Sequence, residues 1–417
     1  MFTIERVVRV VVFLGVVGLV LTGTGQTANA QKAPKDYSRL VFDASKLKKT
    51  KSQITNFLFY SAYASLRYQG EKNIRLDDGR SDYSDEIAGY LGLAMKADLS
   101  SRIMAFGHVE LDIRQKTTHS KSYPTKSKLK VKEALLSVRL TDNQTISAGR
   151  LRFADTNKSM ADASVDGVHY AFKTPDSALE LALFRDVFKD RGTYAMLHAT
   201  RFSKTQSTGF YVLAEENGQD QRLHLAAYLN RKPTSDLSYT LNGAAVFGDA
   251  ANGETSGLAV DFRAMKSFSD QPGKPQITFG FAAGTKGYRP SGLQSNKTYD
   301  GGQTQFHRFG YVFQPELTNM AVATIGLGLR PSRKFSLDLY GHAYSQLSRS
   351  TQSPDARVSG AVTGRSAYLG SEVSLVGAWR PSKKSKVEFG VGVFKPGKAF
   401  TNREPAKRFY ARFTTYF

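Results

Sequence analysis

A period of two dominates the distribution of apolar and polar residues along this chain. Between residues 102 and 116, apolar residues or glycine occupy every second position from Ile103 to Ile113. The other face carries Arg102, His108, Glu110, Asp112, Arg114 and Lys116. Side chains alternate across a β-strand, so the pattern predicts strands with one apolar and one polar face. Eighteen segments show it, most clearly residues 86–98, 102–116, 222–231, 237–247, 257–266, 334–347, 368–380 and 386–394.

The connections between these segments alternate in length. The long ones cover residues 69–85, 117–130, 153–164, 287–319, 348–366 and 395–404. The short ones cover residues 98–101, 141–144, 173–176, 330–333 and 380–385. Short turns on one rim and long loops on the other are typical of outer-membrane barrels. We leave the register open near residues 179–187 and 193–202, where the alternation is ambiguous.

The last segment, residues 405–417, shows which solvent each face meets. Phe409, Ala411, Phe413, Thr415 and Phe417 share one face, and Arg408, Tyr410, Arg412, Thr414 and Tyr416 share the other. A closed barrel satisfies every backbone group in lipid and leaves no free sheet edge. A soluble sandwich does not need a polar face on nearly every strand. We therefore predict an all-β fold, a transmembrane antiparallel up-and-down β-barrel of 18 strands over residues 55–417.

The first thirty residues resemble a secretory signal peptide. Arg6 and Arg9 precede the apolar run VVVFLGVVGLVL, and Ala28-Asn29-Ala30 fits a cleavage site. A single membrane anchor is the alternative, but the apolar run is short for a membrane span. We expect residues 31–54 to form a periplasmic segment, and removal of 1–30 lowers the net charge from +22 to +21. The chain contains no cysteine, which excludes a disulfide framework and thiolate metal sites.

The charges on the inward face carry the functional information, because an 18-stranded barrel has an open lumen unless loops fill it. The alternation places these arginines inward: Arg67, Arg102, Arg114, Arg139, Arg150, Arg152, Arg263, Arg330, Arg408 and Arg412. The inward acids are Glu110, Asp112, Glu133, Asp261, Asp338 and Glu372. Guanidinium groups suit carboxylates, and a low-dielectric wall focuses the field of excess charge, so the predicted pore prefers anions. For any single arginine, an ion pair that stabilises the wall is an equally good explanation.

Two other features have ordinary structural interpretations. Tyr340, Tyr344 and Tyr410 beside these arginines could stack on sugars, but we favour a lumen-filling role. The basic run at residues 116–132 is interpreted as a solvated external loop, with contact to anionic lipopolysaccharide as the alternative.

The sequence offers little support for an enzyme. The histidines are scattered, and neither an H-E-x-x-H nor a G-x-S-x-G motif is present. His108, Glu110 and Asp112 share a face, and we interpret them as a hydrogen-bonded network in the wall. We expect no catalytic activity, no cofactor, no metal and no nucleic-acid partner.

The segment 287–320, GYRPSGLQSNKTYDGGQTQFHRFGYVFQPELTNM, reads as a long external loop from its turn residues. Its words RPSGLQSNK, FHRFG and QPELTN closely resemble the alginate-export family, outer-membrane barrels similar to the alginate exporter of pseudomonads. ISAGRLRF (146–153), DGVHYAF (166–172), RLHLAAYLN (222–230) and GLAVDFRAMKSF (257–268) are weaker matches. The candidate motif residues of the loop are Arg289, Asn296, Lys297, His307, Arg308 and Glu316.

The resemblance implies a monomeric 18-stranded barrel in the bacterial outer membrane, with an arginine-lined pore that exports an anionic, alginate-like polyuronate. It also implies possible periplasmic secretion partners. This chain is shorter than the alginate exporter and has only RPSKKSK (380–386) where that exporter has a long periplasmic turn. An anion-selective porin for the uptake of oligosaccharides or small acids uses the same barrel, and the sequence leaves it open.

Overall fold

The computed structural model describes residues 40–44, 52–76, 82–118, 121–187, 192–218, 220–250 and 253–417. The signal peptide predicted at residues 1–30 and most of the predicted segment 31–54 lie outside the described residues. Within these ranges, no helix is both long enough and apolar enough to cross a membrane.

A single antiparallel sheet of twenty strands makes up most of the described chain, and two of the twenty are the two-residue strands Ser52–Gln53 and Lys121–Ser122. The other eighteen form the wall. They are β1 Leu58–Lys72, β2 Tyr83–Asp98, β3 Ile103–Thr118, β4 Lys126–Thr141, β5 Gln144–Ala154, β6 Asp162–Lys173, β7 Ser177–Asp186, β8 Thr193–Phe202, β9 Gln206–Asn217, β10 Asp220–Arg231, β11 Leu237–Ala250, β12 Gly253–Ser267, β13 Gln276–Gly284, β14 Met320–Ser332, β15 Phe335–Ser345, β16 Tyr368–Ser382, β17 Ser385–Pro396 and β18 Ala406–Tyr416. Each strand pairs with the next, and β1 also pairs with β18, for example at Arg67 and Arg412. The predicted closed 18-stranded barrel is confirmed.

The outer surface of the barrel is apolar. Large side chains on the outward positions are strongly exposed, as with Leu91 at 55%, Phe279 at 56% and Leu327 at 55%. Inward neighbours on the same strands, such as Tyr90, Thr278 and Thr324, are buried. Exposure of so many leucines and phenylalanines is unfavourable in water and suits hydrocarbon, which is why the strands alternate as they do.

The two rims differ as predicted, with one exception in the long loops. We call the rim that carries the turns 142–143, 333–334 and 383–384 the short-turn rim, and the opposite one the long-loop rim. The predicted external loop at 117–130 is wrong, because β3 continues to Thr118 and β4 begins at Lys126. Lysines alternate with Ser127, Leu129 and Val131 there, so the basic run itself has the period of a strand.

The register that the sequence left open near residues 179–203 is settled by long-range partners. Leu181 pairs with Leu197, and both lie on the outer face. Glu180 and His198 pair on the inner face, where both are buried.

Candidate functional site

The segment between β13 and β14, residues 285–319, lies inside the barrel; we call it the lumenal loop. It leaves and returns at the long-loop rim, where Asn319 N donates to the Thr285 carbonyl at 3.0 Å. Its far end reaches the short-turn rim, because Gln303 Nε2 donates to the carbonyl of Arg333 at 2.6 Å. Arg380 Nε also donates to Gln303 Oε1 at 2.7 Å. The loop therefore traverses the lumen, and its interpretation as an external loop is wrong.

Apolar side chains explain why the lumenal loop folds inward. Phe306, Phe309, Val312 and Phe313 would be exposed on an external loop, and in the lumen they are all buried in one hydrophobic cluster. The ring of Phe313 stacks on Phe394 of β17 with centroids 4.5 Å apart. Burial of rings of this size is a large part of the free energy that holds the loop in place.

The carboxylate of Glu372 on β16 anchors the middle of the lumenal loop. It accepts the backbone N–H groups of Tyr311 at 2.5 Å, Val312 at 2.9 Å and Phe313 at 2.9 Å, and the Tyr344 hydroxyl at 3.2 Å. Gly310 precedes these groups with φ of 123°, and a Cβ there would collide with the Tyr344 hydroxyl. Successive N–H groups around one anion form a binding nest, so Glu372 binds loop backbone rather than an arginine.

Three of the predicted pore arginines hold the lumenal loop. Arg263 Nε lies 2.9 and 2.8 Å from the carboxylate oxygens of Asp300. Arg330 Nη2 donates to Asp338 Oδ1 at 2.6 Å and to the Asp300 carbonyl at 3.0 Å. Arg408 Nη1 donates to the Tyr311 carbonyl at 3.0 Å. A buried charge needs a partner, and these contacts supply it, so these side chains line the loop rather than open water.

The wall that runs from β18 through β1 to β4 carries a different set of charges. The guanidinium carbons of Arg67, Arg114 and Arg412 lie 5.5, 5.8 and 5.2 Å from the ring centroid of Tyr90. The Arg67 and Arg114 side chains keep 21% and 39% of their surface exposed.

The three arginines differ in their partners. Arg67 pairs with Glu86, and Arg114 Nε donates to Asp112 at 2.7 Å. Arg412 Nε donates to the Ser65 hydroxyl at 2.8 Å, and no carboxylate among the described residues forms an ion pair with it. We call this set, Arg67, Arg114 and Arg412 around Tyr90, the guanidinium cluster. Its donors can bind a carboxylate, and the aromatic face beneath them stabilises the excess cations.

The model of the alginate export family matches residues 183–413, more than half of the chain. The chain belongs to the alginate-export family. None of the curated proteins matches it significantly.

Solved barrels from two bacteria are similar in fold to this family member. Pseudomonas aeruginosa OccK5 (OpdH) is 9% identical, with a TM-score of 0.60 over 88% of this chain and 100% of that one. The P. aeruginosa outer membrane protein OpdK is 12% identical, with a TM-score of 0.59 over 87% of this chain and 100% of that one. Acinetobacter baumannii OccAB4 is 9% identical, with a TM-score of 0.60 over 88% of this chain and 99% of that one. Identities this low show the fold alone, and with the family they confirm the predicted location, the bacterial outer membrane. This alginate-export family member is an outer-membrane channel.

The motif residues of the loop stabilise the loop itself. Asn296 Nδ2 donates to Glu316 Oε2 at 3.0 Å, and Arg308 Nη1 donates to Asp261 Oδ2 at 2.5 Å. Arg289 donates to the carbonyls of Lys286 and Tyr288, and Lys297 pairs with His307 along the backbone. Burial, aided by the charge of Arg308, lowers the pKa of His307 to about 3, so its imidazole is neutral at neutral pH.

Two predicted pore arginines form ion pairs with acids of β6, and the first of them is on the wrong face. Arg150 pairs with Ala134 and Asp166 on the outer face, and its guanidinium binds the Asp166 carboxylate at 2.7 Å. Arg152 lies at the end of β5, where its guanidinium forms an ion pair with Asp162, and Asp162 accepts the Ser295 hydroxyl of the lumenal loop at 2.5 Å. The inward neighbours Leu151 and Phe153 are instead apolar, because they pack in a lumenal cluster with Val41 and Phe42.

The remaining predicted inward residues lie in the lumen near its two ends. Arg139 and Arg102 line a cavity of about 460 Å³ at the short-turn rim. Glu110 accepts the Tyr63 hydroxyl at 2.5 Å, and His108 Nδ1 lies 3.2 Å from Glu133. These contacts form a hydrogen-bonded network in the wall.

The sequence did not identify Glu180 or Tyr90. The Glu180 carboxylate accepts the backbone N–H groups of Val41 at 2.8 Å and Phe42 at 3.1 Å, which holds residues 40–44 inside the lumen. It also lies 2.9 Å from His169 Nε2 and 2.5 Å from His198 Nδ1. A single acid in the apolar run SALELALF was the available signal for Glu180. The available signal for Tyr90 was an aromatic ring at an inward-facing position of β2.

Proposed function

We propose that this channel exports an anionic, polyuronate-like polysaccharide along the wall from β18 through β1 to β4. The observation that carries the proposal is the guanidinium cluster, with three cations around one ring and, among the described residues, no ion pair between Arg412 and a carboxylate. The lumenal loop contacts the wall from β12 to β18 and also Asp162 of β6, which leaves the β1–β4 side as the route. One chain closes the barrel, so a monomer suffices.

The proposed mechanism is exchange of carboxylates between successive guanidinium groups. A carboxylate on the polymer binds Arg412 first, since no carboxylate of the described residues forms an ion pair with that side chain. Arg67 and Arg114 are shared with Glu86 and Asp112, so each binds a solute carboxylate more weakly. Solvated pairs contribute only about 0–1 kcal/mol each, which suits a multi-site pore that must release its solute.

The second candidate is an anion-selective porin for small acids or oligosaccharides. The observation in its favour is that the lumenal loop and residues 40–44 both occupy the lumen. A passage reduced in this way fits a small solute without rearrangement. The two candidates differ in whether a long acidic polymer enters the pore.

Single-channel recording in a planar bilayer tests the proposal, with polygalacturonate added to one side. We expect anion selectivity and blockade that rises with polymer concentration. Arg412→Glu should weaken both, and Arg150→Glu is the matched control, because the same charge change lies on the outer face. Anion selectivity without polymer blockade would favour the small-solute porin. A cation-selective pore, or equal effects of the two variants, would contradict the proposed route.

A further inference from the structure

Strand β4 extends beyond its neighbour β5 at the long-loop rim, while β3 stays paired with β2 up to Thr118. Pairing between β4 and β5 begins only at Ala134 and Arg150. Residues 126–133 therefore pair with β3 alone, and no strand of the described chain lies beside their other edge. Eight residues at the strand rise of 3.3 Å give an unpaired edge of roughly 26 Å.

One face of the β3–β4 hairpin at this rim is basic. Arg114 pairs with Lys126 and Asp112 with Lys128, so these side chains share one face. It is the face of His108 and Glu110, which point into the lumen. We call its five cations, Arg114, Lys116, Lys126, Lys128 and Lys130, the basic ladder. Alternate residues along a strand lie roughly 7 Å apart, so the ladder continues the charge of the lumen outward.

The basic ladder has too few acids to neutralise it. Asp112 is shared between Arg114 Nη2 and Lys130 Nζ, each at 2.5 Å. Lys116, Lys126 and Lys128 form no ion pair within the described ranges. Arg114 and Lys126 also face each other across the ladder, and like charges in that position are destabilising. An anionic ligand on this face would remove the repulsion.

The face that carries the lysines indicates which anion binds. A lipopolysaccharide phosphate would approach from the outside of the barrel, but that face of the hairpin presents Ile113, Leu129 and Val131, with Leu129 67% exposed. A solute in the pore meets the lysines directly. We propose that the lumen-facing side of the β3–β4 hairpin is a binding site for a carboxylated polysaccharide at the outer mouth. The site rests on the proposed function, since it takes the same class of solute.

Equilibrium binding tests the site without needing an open pore. Refolded protein in detergent micelles is titrated against a fluorescently labelled oligogalacturonate, followed by anisotropy at several salt concentrations. The test variant is K116Q/K126Q/K128Q. The matched control, K334Q/K383Q/K384Q, removes the same charge from exposed turns at the short-turn rim.

We expect the hairpin variant to bind roughly tenfold more weakly with a shallower salt dependence, and the control to stay within about twofold of the parent. K116R/K126R/K128R should restore binding, which separates charge from folding. Equal binding by both glutamine variants would overturn the site. The site would also be overturned if the hairpin variant lost binding to lipopolysaccharide nanodiscs but still bound oligogalacturonate as the parent does. Self-association of the hairpin variant with unchanged binding would assign the lysines to protection of the free edge.

The recordings with polygalacturonate separate this inference from the proposed function. Blockade of the parent channel that is weakened by Arg412→Glu but unchanged in K116Q/K126Q/K128Q overturns the outer-mouth site and leaves the export route standing. A parent protein that neither binds oligogalacturonate nor is blocked by polygalacturonate overturns both.

Discussion

Replacing Glu372 by glutamine should release the lumenal loop from the barrel wall. The glutamine keeps the size of the side chain but loses the charge and one acceptor oxygen for the N–H groups of Tyr311, Val312 and Phe313. Hydrogen bonds to a charged group contribute about 1.5–3 kcal/mol each, and their loss at a site 1% exposed is not screened by solvent.

Because one oxygen and the packing of Phe313 remain, we expect a loss of about 2–4 kcal/mol in the free energy of docking. Each 1.4 kcal/mol is a factor of ten, so the ratio of docked to undocked loop falls roughly 30- to 1,000-fold. Single-channel recording should show larger or more frequent conductance steps. Limited trypsin digestion should cut the loop faster at Lys297 and Arg308.

Glu133→Gln is the matched control, because Glu133 is a lumenal acid whose contact is His108 rather than the loop. It should leave both readouts near those of the parent protein. If Glu372→Gln and Glu133→Gln behave alike, the carboxylate of Glu372 does not hold the loop and our account of the closed lumen is wrong.

Three further predictions concern the segments inside the barrel. Thr304 Oγ1 donates to Glu388 Oε1 at 2.8 Å, so a short, reducible bis-thiol cross-linker between T304C and E388C in this cysteine-free chain should lower conductance until it is reduced. An unchanged current would mean that the loop end need not move. Phe42→Ala should cost about 3 kcal/mol of packing free energy, because the ring lies in the lumenal cluster. In a protein that also carries Ala44→Cys, it should raise the rate of maleimide labelling at least tenfold. Equal labelling rates with and without Phe42 would show that this ring does not hold the segment. Acidification should undock the loop, because the pKa of His307 is lowered only while the loop is docked. As the pH falls below about 6.5, the imidazole takes up a proton in the undocked state and not in the docked state, which favours undocking. This loss of docking should continue to about pH 3, and His307→Gln should remove part of the pH dependence of conductance.

The alternation along the chain determined the barrel and the sides of most strands. A strand between lipid and a polar lumen meets two solvents, and a period of two is the local record of that difference. Arg67, Arg114 and Arg412 could be placed on one face of neighbouring strands for this reason. Their convergence on Tyr90 could not, since it depends on the register of β1, β2 and β3 and on closure of the barrel by β18, which is far from them in sequence.

Only the tertiary structure decided what fills the lumen. Turn residues at 285–319 fit a loop that folds outward as well as one that folds inward. The choice depends on Phe306 and Phe313 finding apolar partners on distant strands. Arg150 was misplaced for the same reason: the rule that inward residues are polar fails where the lumen is packed with Val41 and Phe42. Periodicity is a local property of the sequence, whereas these partners are brought together by barrel closure.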